Sequence, residues 1–395
     1  MTPSRPDAII SLPGFRLVEV RHNLGIFEIQ AALEARPPCP HCACVRVWVR
    51  SKKERRVRHE SFGTRPSWLI FTATKYECRG CKKFFYPRMM GIGLFQRSSE
   101  RFKDEITDLH HKGITQVQLS RDYALGCATV ERWYHEHIKI KLHEYKNRPC
   151  PRVMGIDEHF FTRKKGFATT LADLSKQKVF EVTLGRSDKS LEEFFKNLIG
   201  KNRVKVMLMD LSETYRSICK KQFPNALLVA DRFHVVRLIN QQFLKVWRRF
   251  DERARYNRGL LSLMRRHQWN LKPEQEINLL KYLEGFPVLK EIYFFKQQLN
   301  SLMLEKCHTQ RSARPLVHQF LSMIEQLKTT AITELKTLGE TLWSWREEVA
   351  RMWRFTKTNS ILEGLHNKME MISRRAFGFR TFENYRIRVL AHCGG

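Results

Sequence analysis

Val153-Met154-Gly155-Ile156-Asp157 and, further along, Val204-Lys205-Val206-Met207-Leu208-Met209-Asp210 are two short apolar runs that each close on an aspartate. A third, Ala226-Leu227-Leu228-Val229-Ala230, closes on Asp231. Runs of this length, bounded by polar residues, predict strands. Phe167 to Leu171 and Val179 to Leu184 read as hairpin partners of the first run, joined by the turn Asp173-Leu174-Ser175-Lys176. Ser190 to Ile199 and Glu213 to Phe223 carry helical spacing. The predicted order is therefore strand-strand-strand-helix-strand-helix-strand, a mixed α/β sheet entered through the linker Asn147-Arg148-Pro149-Cys150-Pro151.

That order resembles the ribonuclease H-like fold, in which the fourth strand lies parallel beside the first. Neighbouring strands are ~4.8 Å apart, so Asp157 and Asp210 become adjacent and Asp231 lies roughly twice as far away. Two carboxylates so close repel unless cations lie between them, and an all-oxygen site suits Mg²⁺ or Mn²⁺. Such ions assist in-line phosphoryl displacement. Asp231 has a second explanation, because Asp231-Arg232-Phe233-His234 opens a long helix and aspartate caps free N–H groups there. Asp157 alone reads equally well as an ordinary strand-end aspartate. The pairing of Asp157 with Asp210 carries the argument.

The 395 residues allow two to four domains with a sizeable core, and 42% apolar with 28% charged residues is ordinary for a globular chain. The charge balance is not: the formal net charge is +31, and the excess is spread over every third of the sequence. A polyanion is the expected partner, with steeply salt-dependent binding. No apolar run approaches the ~18 residues of a membrane span. Met1 to Ile10 lacks a signal-peptide layout, so a cytoplasmic, nucleoid-associated protein without a membrane partner is expected.

Ten cysteines in a reducing compartment point to metal rather than disulfides. Cys39-Pro-His-Cys42 and Cys78-Arg-Gly-Cys81 are two C-x-x-C knuckles that together make one tetrahedral Zn²⁺ site of four cysteines, with His41 and Cys44 as bystanders. The long segment between them suggests a zinc ribbon with an enlarged insert. Strands are expected at Val45 to Val49 and Trp68 to Thr74, around a basic block of Arg46, Arg50, Lys52, Lys53, Arg55, Arg56 and Arg58 suited to phosphates. From Ser99 the pattern turns helical, with Phe102, Ile106 and Leu109 on one face. Gly113 ends that helix. Thr115 to Tyr123 and Ala128 to about Lys139 then resemble a helix-turn-helix with Gly126 in its turn, its inward face at Val130, Trp133 and Ile138. Thr129, Arg132 and His135 would face the major groove of DNA. A three-helix packing unit with no DNA role would read the same way.

Near the end, Thr358-Asn359-Ser360-Ile361-Leu362-Glu363 reads as a capped helix start with Glu363 in its first turn, where the helix dipole favours an acid. Here the resemblance becomes specific. Gly155-Ile156-Asp157-Glu158, Met209-Asp210, Ala230-Asp231-Arg232-Phe233-His234-Val235, Thr358-Asn359-Ser360 with Glu363-Gly364 and Asn367-Lys368, and Arg374-Arg375-Ala376-Phe377-Gly378-Phe379-Arg380 resemble the signature blocks of the ISL-three family of insertion-sequence transposases. The likeness covers nearly the whole chain. It implies an Asp-Asp-Glu triad at Asp157, Asp210 and Glu363, with a helical insertion between the second and third acids, where Leu316, Phe320, Ile324 and Leu327 keep helical spacing. Basic, aromatic-interleaved stretches flank the insertion, Lys245 to Arg266 with Arg248 and Arg249, and Lys368 to Arg388 with Arg374, Arg375 and Arg380. They suit DNA tracking, though solvated helix faces have the same composition.

The expected architecture is thus multidomain α/β. It comprises a zinc ribbon (1–98), a helix-turn-helix (99–146) and a ribonuclease H-like mixed sheet (151–250, completed by 357–395) with an all-helical insertion (251–356). The expected function is a DNA transposase that binds terminal inverted repeats, then cuts and joins double-stranded DNA with Mg²⁺ or Mn²⁺, working as a homodimer. The rivals are a DNA-binding regulator with an inactive core and a nuclease that cuts without joining.

Overall fold

The computed structural model describes residues 12–33, 36–143, 147–307, 309–355 and 360–394; Met1 to Ile10 and the signature residues Thr358 and Asn359 lie outside them. The chain divides into two compact units, 1–140 and 141–395.

The first unit is a sheet with three helices. Strand β1 (Phe15–Asn23) and β2 (Ile26–Leu33) form a hairpin, and β3 (Val47–Phe62) and β4 (Arg65–Cys78) form a longer one. Parallel pairing of β2 with β4 gives the order β1-β2-β4-β3, and β5 (Phe84–Phe85) pairs with the end of β4. The sequence reading had missed β1 and β2, and it treated the basic block as lying between two short strands. Instead β3 runs straight through the block. Val57 and His59 are buried on its inner face, while the guanidinium groups of Arg56 and Arg58 lie over the Trp68 ring at 4.6 and 5.4 Å, so arginines stand where apolar alternation would have revealed a strand.

Three helices follow: α1 (Glu100–His111), α2 (Gln116–Tyr123) and α3 (Cys127–His143). Ser99 and Thr115 cap the first two through their hydroxyls, and Phe102, Ile106, Leu119, Val130 and Trp133 form the core between the three. The left-handed residue of the α2–α3 turn is Ala124 (φ 51), not Gly126. The carbonyl of Gly126 instead accepts from the Thr129 and Val130 N–H groups at the start of α3. The helices are fixed to β3 where Ser99 Oγ meets the buried His59 Nδ1 at 2.9 Å and Glu105 accepts from the Ser61 N–H at 2.9 Å.

The second unit begins with β6 (Val153–Thr162), β7 (Gly166–Asp173) and β8 (Lys178–Leu184), paired antiparallel in sequence. The β7–β8 turn is held by Asp173 Oδ1, which accepts from the N–H groups of Ser175 and Lys176. After α4 (Asp188–Lys196), strand β9 (Val206–Met209) pairs parallel with β6. After α5 (Glu213–Gln222), β10 (Leu227–Ala230) pairs parallel with β9, so the sheet order is β10-β9-β6-β7-β8. Asp157 is not a strand-end residue, because β6 continues five residues beyond it to Thr162; what ends beside it is the shorter β9.

A run of helices succeeds the sheet: α6 (Arg232–Phe250), α7 (Arg258–Arg265), α8 (Pro273–Glu284), α9 (Pro287–Leu304), α10 (Gln310–Thr329), α11 (Thr333–Ser344), α12 (Arg346–Arg354), α13 (Ser360–Arg375) and α14 (Phe382–Cys393). Buried side chains of α9 to α14, Phe320, Leu338 and Trp353 among them, share one continuous core with the sheet. Arg351 on α12 donates to the Leu228 carbonyl of β10 at 3.2 Å, and Arg232 donates to the Met352 carbonyl at 3.1 Å. Arg216 on α5 forms a forked pair with the buried Glu348 at 2.9 and 3.0 Å. A second, smaller core joins the end of α6 to α7, α8 and α9 around Trp247, Met264, Leu283 and Tyr293.

Beside that smaller core Lys296, 3% exposed, donates to the Met264 carbonyl at the end of α7 at 2.8 Å and lies over the rings of Phe243 and Tyr293. Burial pushes its pKa down to about 7. The folded state therefore disfavours the ammonium relative to the unfolded chain. Its cost is full below about pH 7 and fades as pH rises toward the ordinary lysine range near 10. Chemical denaturation should accordingly find stability rising across that window in the wild type, and Lys296→Met should lose that rise.

Candidate functional site

The register of the parallel strands decides what meets at the sheet's carboxyl edge. Ile156 pairs with Met209 and Met209 with Ala230, so the next residue on each strand, Asp157, Asp210 and Asp231, forms a row of three carboxylates. They are not equivalent. Asp231 is wholly buried and caps α6, accepting from the His234 N–H at 3.2 Å and facing His234 Nδ1 at 2.5 Å. Its lone pairs serve the helix and the imidazole, which agrees with the capping explanation. Burial works to lower the His234 pKa, but the Asp231 contact outweighs it and raises the value, with Asp157 and Asp210 adding to the rise.

Asp210 stands in the middle with Oδ1 buried and without a hydrogen-bond partner among the described residues. Its pKa is pushed up to about 6, first by burial and then by the charge of Asp157. An oxygen in that condition costs free energy until a cation or donor reaches it, which is the condition expected of a hard-metal ligand.

Glu363 arrives on α13. Leu362, the residue before it, is fully buried, and a Cβ placed on Gly155 would stand 2.6 Å from its Cδ1, so the missing side chain at Gly155 is what lets α13 settle on β6. One turn on, His366 Nδ1 lies 3.8 Å from Asp157 Oδ2. Glu363 itself is exposed. It is close enough to raise the pKa of His366 alongside Asp157, although burial dominates and lowers it. Asp157 and Asp210 thus stand side by side on neighbouring strands, and Glu363 lies within electrostatic reach of His366. Among the described residues, the one set of three or more potential ligands drawn within 4.8 Å is Cys39, Cys42, Cys78 and Cys81. Enlarging Gly155 should lever α13 away from β6: Gly155→Val is expected to cost about 1–3 kcal/mol in stability by overpacking. Leu362→Ala in the same chain should recover part of that loss in a thermal melt.

A hydrogen-bonded chain behind Asp157 escaped the sequence reading. Tyr385 Oη meets His159 Nε2 at 2.7 Å, His159 Nδ1 meets Thr170 Oγ1 at 3.1 Å, and Thr170 Oγ1 meets His366 Nε2 at 3.2 Å. Burial, and then His366, pushes His159 down to about 3, so that ring is neutral and carries one N–H. With a carboxylate acceptor at one end, one direction satisfies every partner: Tyr385 donates to His159, His159 to Thr170, Thr170 to His366, and His366 Nδ1–H faces Asp157. Glu363-Gly364-Leu365-His366 spaces acid and imidazole one turn apart, which was the available signal for His366. His159 and Tyr385 offered none, since 226 positions separate them along the chain.

At the amino-terminal site, Cys39 Sγ and Cys81 Sγ are 3.7 Å apart and Cys42 Sγ and Cys78 Sγ 3.5 Å. A tetrahedron with 2.3 Å zinc–sulfur bonds has edges of about 3.8 Å. The Cys81 backbone N–H holds the Cys78 thiol down to about 6, toward the ligating thiolate, and the Gly80 N–H also donates to it at 3.3 Å. Cys44 lies beside the cluster and outside it.

Residues 154–389 match the family model described as transposase, of the DDE type named for ISL-three elements. The chain belongs to the ISL-three family of transposases. Within this transposase, residues 35–81 match the zinc finger of the transposases of IS204, IS1001, IS1096 and IS1165, which fits the four-cysteine site. The transposase is also similar to the transposase for insertion sequence element IS1001 of Bordetella parapertussis, with 23% identity over 325 residues covering 80% of this chain and 78% of that one. No helix among the described residues is long and apolar enough to cross a membrane.

The transposase surfaces expected to meet DNA differ in how free they are. Lys52, Lys53, Arg132, Arg248, Arg375 and Arg380 are exposed, and Thr129 and His135 are half-buried on α3. Arg50 pairs with Glu77, Arg56 with Glu28 at 2.9 Å, Arg249 with Glu334 at 2.8 Å and Arg374 with Glu370 at 2.7 Å, while Arg55 donates to the Gln96 carbonyl at 2.5 Å. The largely exposed pairs of Arg56, Arg249 and Arg374 are worth at most about 1 kcal/mol, so a phosphate can replace the carboxylate, whereas Glu77, the partner of Arg50, is buried.

Proposed function

We propose that this transposase cuts and joins DNA at one site built by Asp157, Asp210 and Glu363, on a core of ribonuclease H-like topology. The observation that carries the proposal is the middle acid, Asp210, with a buried oxygen that has no hydrogen-bond partner among the described residues, one strand away from Asp157. Asp157 from within β6 and Asp210 from the end of neighbouring β9 would offer carboxylate oxygens, and Glu363 another from the first turn of α13, an oxygen set that fits Mg²⁺ or Mn²⁺. Bound there, such ions supply an activated water or 3′-hydroxyl and charge compensation at the leaving oxygen. The chain's own part is to hold the acids: the sheet register spaces the first two, the Tyr385–His159–Thr170–His366 chain orients Asp157, and Gly155 seats α13.

The amino-terminal modules (1–98 with zinc, 99–146 as a helix-turn-helix) would read the terminal inverted repeats, with Thr129, Arg132 and His135 of α3 at the base edges. Residues 151–250 and 357–395 would form the catalytic core and 251–356 the helical insertion. Two ends must be processed together, which favours a homodimer acting on double-stranded DNA in the cytoplasm, at the nucleoid. Incubating the protein with Mg²⁺, its insertion sequence's own ends and a target plasmid tests this reading. Joined products are expected; cutting without joining would instead mark a nuclease, and binding without cutting a regulator.

A further inference from the structure

Helix α13 ends in an unusual way. Gly378 N–H returns to the Ser373 carbonyl at 2.9 Å and Phe377 N–H to the Arg374 carbonyl at 3.0 Å, the paired bonds of a Schellman closure. That closure needs a left-handed residue at its first position, normally glycine. Here it is Phe377, with φ 52, although Gly378 stands next to it with φ 90. A bulky residue in that region is strained, and its ring is 92% exposed, so the chain gains neither a relaxed backbone nor apolar burial from it. The corner is nevertheless firmly built. Phe379 packs on Tyr385 at 5.5 Å and Thr381 caps α14. From Met371 to Arg380 there is no acidic residue, and Arg374, Arg375 and Arg380 surround the ring in sequence, all three exposed.

An aromatic face presented rigidly among arginines suits nucleic acid better than an apolar protein surface, because the arginines keep their charge compensated by flanking phosphates while the ring meets a base. The helix also supplies a ruler. Twelve residues separate Glu363 from Arg375 on α13, a rise of about 18 Å, which corresponds to about five nucleotides at 3.4 Å each.

We propose that Phe377 is a base-stacking residue: its ring stacks on an unpaired base of the transposon-end DNA about five nucleotides from the phosphate at the acids, with Arg374, Arg375 and Arg380 on the adjoining phosphates. The inference rests on the cut-and-join reading above and adds the DNA feature that the carboxyl-terminal corner recognises.

The test uses the full chain and transposon-end duplexes carrying 2-aminopurine at successive positions from the cleavage site. The wild type should change the probe's fluorescence sharply at one position, near the fifth nucleotide. Phe377→Ala should lose that signal and bind the end roughly five- to a hundredfold more weakly, whereas Phe377→Trp should keep both. Unpairing the base beforehand should rescue cleavage by Phe377→Ala. Phe377→Gly should melt no lower than the wild type, which separates loss of stacking from loss of fold. An unchanged probe profile in Phe377→Ala, with cutting intact, overturns the stacking inference alone. Dissociation of a dimer by Phe377→Ala with the DNA signal unchanged overturns it in favour of a second copy as the occupant. A wild-type chain that neither binds nor cuts its ends overturns the functional reading with it.

Discussion

Asp210→Asn is expected to abolish DNA cleavage, by at least a thousandfold or about 4 kcal/mol in the barrier, while the variant still binds transposon ends. It should also make the cation-free protein more stable. Asp210 has a folded-state pKa of about 6, above its ordinary 3.8, because it is buried and faces Asp157. Its favourable contribution to folding is therefore complete below the ordinary value and is lost as pH rises through about 6. At neutral pH the ionised side chain is a liability on the order of 3 kcal/mol, which the amide lacks. Thermal melts at pH 7.5 without divalent ions should place Asp210→Asn above the wild type, and the difference should shrink toward pH 4. Added Mg²⁺ should raise the melting temperature of the wild type and leave the variant unmoved. Asp231→Asn offers the contrast, since that acid caps α6 and holds His234. Its main effect should be on stability, and a dead Asp231→Asn beside an active Asp210→Asn would transfer the metal role to the wrong strand for this account.

The second large effect is expected at the four cysteines. Among the described residues the local core there has Cys39, Tyr76, Cys78 and Phe85 as its buried members, too little to fold a knuckle pair without metal. Structural zinc supplies an apparent ~10–16 kcal/mol in sites of this kind. Cys78→Ser, or treatment with a strong chelator, should therefore disorder the segment around Cys39 to Cys44 and the end of β4, opening new protease cuts there. Binding to transposon ends should weaken at least tenfold, or about 1.4 kcal/mol. The rest of the β1–β4 sheet has its own core around Ile29, Leu69 and Phe71 and should survive. Unchanged proteolysis after verified zinc loss would show that packing alone holds the knuckles.

How much of this was legible in the sequence depended on where the apolar pattern was local. The first half of β6 and the short strands β9 and β10 are mostly buried, so their apolar runs and the aspartates that follow those runs stood out, although β6 itself continues past Asp157; the parallel register that aligns Asp157 with Asp210 follows from the strand order. Strand β3 was hidden because arginine guanidinium groups lie over Trp68 where apolar side chains usually would, so its length and the extent of the hairpin could not be read from hydropathy. The turn before α3 was legible in that Gly126 does lie in it, but the left-handed conformation there falls on Ala124, which no local pattern marks, since glycine tolerates that conformation without being required by it. The chain from Tyr385 to Asp157 was unreadable in principle. It depends on side chains from β6, β7, α13 and α14 meeting across the sheet, and no spacing along the sequence encodes that meeting.

The central claim is that Asp157, Asp210 and Glu363 act as one cation-binding set when DNA is bound. Replacing Mg²⁺ with Fe²⁺ in the protein–DNA complex and generating hydroxyl radicals would cut the backbone wherever the ion sits. Cuts clustered at three places, near Asp157, near Asp210 and near Glu363, and absent in Asp210→Asn, are the predicted result. Cuts near the first two acids with none near Glu363 would contradict it.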